Sequence, residues 1–230
     1  MNCWICGEDG DSGEHTIKSS DLKEYFGEVT EENPIFWFSK EYSNKLVKSL
    51  KSKPLKSPAR ICQTCNNTRT QSHDRSWEKL SKYLLRNIHL IKDSSPISLR
   101  DIYNDEDINL AVTGVQLFFV KQFGCRVIEG DIPINLDSFS KAILKSSFHE
   151  HIYLAFGKLN HEENFPSVAV TDVRTQIIGE TILLAQWNYI VGQLVVRVVY
   201  DPLKRYKKLL RNCWHPKNHG YKIKIYQGKA

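Results

Sequence analysis

The chain has 230 residues, 41% hydrophobic and 25% charged, enough to bury a real core and too apolar overall for a largely disordered polymer. No apolar run approaches the roughly 18 residues that span a bilayer, and the opening MNCWICGEDG has neither a basic start nor an apolar signal core. A cytoplasmic protein with no membrane partner is therefore expected. The net charge of +6 is unevenly spread: Lys40 to Arg60 holds basic residues against Glu41 alone, and Leu203 to Ala230 holds basic residues and no acid. Such patches attract polyanions through counterion release, with nucleic acid the first partner to consider and simple solubility the competing reading.

In chain order, the first signal is Cys3-x-x-Cys6, matched later by Cys62-x-x-Cys65. Each pair sets two thiolates on one tight turn, and two such turns together complete a tetrahedral zinc site. The long stretch between them, residues 7–61, exceeds ordinary finger spacing and implies an insertion. A thioredoxin-like redox pair is disfavoured, because the first pair leads into a Gly/Asp-rich turn instead of a helix. Glu14-His15 follows that turn. The segment from about 22 to 60 reads as a basic insertion: an aromatic IFWFS, then a lysine-studded helix and two prolines, with Lys48, Lys51, Lys53, Lys56 and Arg60 facing nucleic acid.

After the second pair come Asn66 and Arg69, the latter read as a phosphate contact. Asp74 is expected to cap a helix or support the site, not to bind metal. Residues 74–91 repeat apolar positions at helical spacing, and the polar KDSSPIS at 92–98 marks a boundary. Beyond it, INLAVTGVQLFFVKQFG predicts a buried helix ended by Gly124, and LDSFSKAILKSS a helix capped by Asp137. β-Branched and aromatic runs from residue 150 to 202 predict strands, with a turn between Trp187 and Gly192. The expected fold class is α+β: an N-terminal module over 1–92, and an α+β domain with a mainly antiparallel sheet over 93–230 for targeting or control. Cys125 and Cys213 read as buried packing residues, Cys213 with His215 and His219 lacking a fourth ligand. His149 and His151 read as one polar strand face in preference to a metal pair. The basic, aromatic tail offers either phosphate and stacking contacts or a lysine-guarded edge strand.

Alone, a Glu-His pair reads as a solvated turn and an Asn after a cysteine turn as a helix cap. Together, CWIC, EH and CQTCNNTRTQ resemble the HNH (His-Me finger, ββα-metal) nuclease family over about the first 90 residues. The resemblance implies a four-cysteine treble clef with structural Zn2+, His15 as general base, and Glu14 with Asn66 holding a catalytic Mg2+ or Mn2+. It also implies a DNA endonuclease that nicks duplex DNA, with bacterial anti-phage defence as the expected context. Many members have Asp where this chain has Glu14, and the residue that orients the base is unassigned, with Asn33 and Asn44 as candidates. Two alternatives stay open: an inactive zinc-stabilised nucleic-acid-binding module, and a nuclease gated by a protein partner of the C-terminal domain.

Overall fold

The computed structural model describes residues 2–38, 44–104, 107–159 and 168–227. Near the N-terminus a tight turn closes as Cys3 N–H donates to the Glu8 carbonyl and Gly7 N–H to the Cys3 carbonyl. Gly7 takes φ 85°, which glycine adopts without Cβ strain. Strand β1 (Ser12–His15) then pairs antiparallel with β4 (Lys56–Ile61), Ser12 opposite Ile61 and His15 opposite Lys56, with a bulge between Gly13 and His15. β4 alternates strictly, burying Ser57, Ala59 and Ile61 while Lys56, Pro58 and Arg60 face out.

Between these strands lie α1 (Ser19–Phe26) and a small antiparallel pair, β2 (Ile35–Trp37) with β3 (Lys45–Val47). The lysine-studded helix expected here is absent from the described residues: Lys45–Val47 is a strand paired with Ile35–Trp37, held because Ile35, Trp37 and Val47 turn inward and are buried. The start of that expected helix, residues 39–43, lies outside the described residues.

A wide helical turn (Thr64–Arg69) leads into α2 (Gln71–Asn87), which begins three residues before the expected start and buries Trp77, Leu80 and Leu84. After β5 (Pro96–Ser98) and α3 (Leu99–Tyr103) comes α4 (Ile108–Glu129), capped by the Asp107 carboxylate, which accepts from the N–H groups of Asn109 and Leu110. α4 is buried on nearly every side, as its apolar composition requires. It does not end at Gly124. That glycine sits inside the helix because the Trp4 ring occupies its side-chain space. α5 (Asp137–Leu144) is not capped by Asp137; the Asn135 side chain accepts from the Asp137 N–H instead.

The remaining strands are β6 (Ile152–Lys158), β7 (Val168–Val170), β8 (Arg174–Ile178), β9 (Thr181–Val191) and β10 (Leu194–Tyr200). Short helices α6 (Lys207–Leu210) and α7 (Pro216–His219) precede β11 (Lys222–Gln227). The sheet runs β5-β11-β6-β10-β9-β7, with β8 also on β9, and every pairing is antiparallel except β11 on β6. β11 is therefore an interior strand, not a lysine-guarded edge. One core runs from Cys3 to Ile225. At its centre Trp77 stacks on Phe118 at 5.5 Å and meets Phe119 and Tyr189 edge-on, so apolar packing continues across the boundary expected at residue 92. The architecture is mixed α+β with antiparallel sheets.

Candidate metal centre and adjoining cleft

Antiparallel pairing of β1 with β4 places the chain just before Ser12 beside the chain just after Ile61, so the two cysteine turns meet. The Asp11 carboxylate fastens the junction by accepting from the Gln63 N–H at 2.8 Å. The ligand atoms of Cys3, Cys6, Cys62 and Cys65 all lie within 4.8 Å of one another, and Cys6 Sγ is 3.5 Å from Cys62 Sγ. This is far beyond a disulfide of ~2.05 Å. It is close to the roughly 3.8 Å edge of a tetrahedron with Zn–S near ~2.3 Å. Burial, then the Cys6 and Cys62 sulfurs, push the Cys65 thiol up, so joint deprotonation of the four calls for a cation at their centre. The Cys65 N–H points at Cys62 Sγ (3.3 Å), and Arg69 Nη1 donates to Cys65 Sγ (3.0 Å). The cluster can hold a metal ion such as zinc. Arg69, read from sequence as a phosphate contact, is turned toward a thiol, where its charge offsets the negative charge of a tetrathiolate.

Beside the cysteines opens a cleft of about 370 Å³ whose walls include Glu14, His15, Lys18, Lys56, Asn66 and Asp74. Alternation along β1 turns Glu14 inward, leaving it 7% exposed, while His15 stays half-buried. His15 Nε2 lies 2.9 Å from the Leu50 carbonyl. A carbonyl only accepts, so Nε2 carries the proton and, in the neutral ring, Nδ1 is the basic nitrogen. Leu50 thus orients the ring, the role left open between Asn33 and Asn44. Asn33 instead bonds the Glu28 carbonyl, and Asn44 adopts a left-handed turn. Asn66 Nδ2 donates to Ser12 Oγ at 2.8 Å, leaving Oδ1 as the amide atom able to ligate a cation.

Sequence reasoning missed the residues that hold Glu14. Lys121 and Gln122 of α4, both fully buried, reach across to it: Lys121 Nζ is 3.0 Å from Oε2, and Gln122 Nε2 donates to Oε1 at 3.0 Å. Lys121 also donates to Asp74 (2.8 Å) and to Thr70 Oγ1 (3.1 Å). Burial opposes its charge, but Glu14 and Asp74 outweigh burial and its pKa goes up. Asp74, on α2, therefore does not cap the helix; it shares this ammonium. The trio keeps a formal charge of −1 at the edge of the cleft, with Lys18 and Lys56 also lining it. A signal was available, since a Lys and a Gln inside the apolar run FFVKQFG must find buried partners.

No family model, no curated protein and no solved structure matches the chain. Of the basic residues expected to face nucleic acid, Lys56 alone lines the cleft; Lys48, Lys51, Lys53 and Arg60 are exposed outside it, Lys48 pairing with Glu31 at 3.4 Å. His149, His215, Cys125 and Cys213 are buried in the packing of the fold. Cys213 Sγ faces the Leu209 carbonyl, and His215 Nε2 lies 3.0 Å from the His149 carbonyl. His149, expected on a polar strand face, is buried before β6 with Nε2 at 2.9 Å from Ser138 Oγ. Cys125 is buried, which pushes its thiol up to about 12.

Proposed function

We propose that the chain is a metal-dependent HNH-type endonuclease that hydrolyses DNA phosphodiester bonds, with structural Zn2+ on the four cysteines. The observation that carries this reading is the convergence of Glu14, His15 and Asn66, distant in sequence, on one cleft beside the cysteine cluster. An antiparallel strand pair followed by a helix, the arrangement implied by the resemblance, frames the cleft.

In this reading His15 Nδ1 takes the proton from the attacking water, held in position by the bond from Nε2 to Leu50. Glu14 and Asn66 Oδ1 supply hard oxygen donors for Mg2+ or Mn2+, and both Glu14 oxygens keep a lone pair beyond their bonds to Lys121 and Gln122. When bound, that cation supplies charge stabilisation at the leaving oxygen. Lys18 and Lys56 attract the phosphate backbone into the cleft. One such site cuts one strand, so a monomer nicks duplex DNA.

Supercoiled plasmid incubated with wild type and His15→Ala, in Mg2+, Mn2+ or EDTA, tests the proposal. Open-circle product from the wild type alone, lost in EDTA, supports it; no nicking under any metal sinks it. One observation favours a second reading, a binding module or a partner-gated enzyme: Lys121 and Gln122 already occupy one site on each Glu14 oxygen. DNA retention without nicking in the same assay points there.

A further inference from the structure

A second cavity, of about 1040 Å³, opens beside the cleft, and Lys56 lines both. We propose that this cavity receives unstacked bases of the strand being cut, so that locally unpaired DNA is bound in preference to intact duplex; the proposal rests on the nuclease reading. Its size matches the upper range of clefts that enclose small organic ligands.

The rim is aromatic. On the β2 hairpin Ile35 and Trp37 turn into the core, while the alternating Phe36 and Phe38 stand 59% and 65% exposed. Tyr25 and Phe26 at the end of α1 add two further exposed rings to the same cavity. Exposed aromatic rings lining a concave, partly polar site are stacking platforms for bases, which bind by their π-faces without regard to sequence.

The inner wall is polar and close to neutral. Arg126 is 6% exposed, ion-paired with Glu129, and its Nε has no hydrogen-bond partner. Glu129 and Asp172 balance Lys56 and Arg126 around the cavity. A groove for the phosphate backbone would carry an excess of cations. Balanced donors and acceptors between apolar walls instead suit the edge and faces of a base, with the phosphate held on the cleft side by Lys56, which lies opposite His15 in the strand pair.

The test uses the full zinc-loaded chain without added Mg2+ or Mn2+ and three labelled probes: a duplex, the same duplex with a central unpaired bubble carrying 2-aminopurine, and the corresponding single strand. The bubble and the single strand should bind about tenfold tighter than the duplex, with a change in 2-aminopurine emission on binding. Phe36→Ala/Phe38→Ala should abolish the preference, and thermal melting confirms folding, since both side chains lie outside the core. Equal affinity for all three probes, or a preference untouched by the double variant, overturns the proposal. Plasmid nicking with equal affinities removes the base cavity alone; no nicking with the preference intact removes the nuclease reading and leaves a base-binding site.

Discussion

Lys121 buries an ammonium group with no exposed surface, a cost offset only by its bonds to Glu14, Asp74 and Thr70. Replacing it as Lys121→Met leaves two carboxylates facing each other with no cation, which should lower stability by about 3–5 kcal/mol. Urea denaturation measures this, and a variant as stable as wild type would show that water reaches the pair. Histidines set a second expectation. Burial holds His73 and His149 at about 4, below the ~6.5 of an unfolded chain. The unfolded state therefore binds more protons between those values. Their contribution is intact above ~6.5 and declines as pH falls toward 4, by roughly 1.4 kcal/mol per pH unit for each histidine. Melting temperatures at pH 7.5, 6 and 5 should fall in that order. The Leu50 carbonyl that orients His15 was invisible to sequence reading, because a backbone acceptor has no residue type.

Among the elements, α4 joins the most surroundings. Its Gly124 leaves room for Trp4, and a Cβ there would lie 2.6 Å from the indole ring. On an ordinary exposed helix Gly→Ala stabilises by about 1 kcal/mol; here Gly124→Ala should destabilise and displace the turn bearing Cys3 and Cys6. A lower melting temperature together with weaker retention of added metal ion by the cysteine cluster checks this, and a gain in stability would contradict the packing. α1 depends on one buried acid. Asp21 accepts from Trp77 Nε1 (2.8 Å), Ser81 Oγ (2.6 Å) and Tyr189 OH (2.6 Å), tying α1 to α2 and β9. Burial raises its pKa, those three donors opposing the shift. Asp21→Ala strands three buried donors and should cost about 2–5 kcal/mol, read by denaturant midpoint.

On the scale of the whole chain, the cysteine turns are not an appendage. Ser140 Oγ on α5 donates to the Ile5 carbonyl, Trp4 packs on α4, and the same hydrophobic core includes Cys3 and Ile225. If the four cysteines hold a metal ion such as zinc, a strong chelator or Cys65→Ser should therefore lower the midpoint of one cooperative unfolding transition. Calorimetry showing an unchanged second transition would mean that residues 93–230 fold independently.

Local chemistry was enough to read the paired cysteines, an amphipathic helix over residues 74–91 that forms at Gln71–Asn87, the buried α4 and the β9–β10 hairpin, because spacing and periodicity follow directly from backbone geometry. The grouping of Glu14, His15 and Asn66 came from the family resemblance and not from local chemistry. Contacts made at long range were not legible. Lys121 and Gln122 reach Glu14 from more than a hundred residues away, β11 becomes an interior strand through a parallel pairing with β6, and the lysine-rich stretch forms a strand because Val47 is buried with Ile35 and Trp37 across the hairpin. Propensity is a weak, local term, and burial against a distant partner outweighs it. That is why the residue types in the cleft were readable, while their charge balance and their orientation emerged only when α4 packed against β1 and α2.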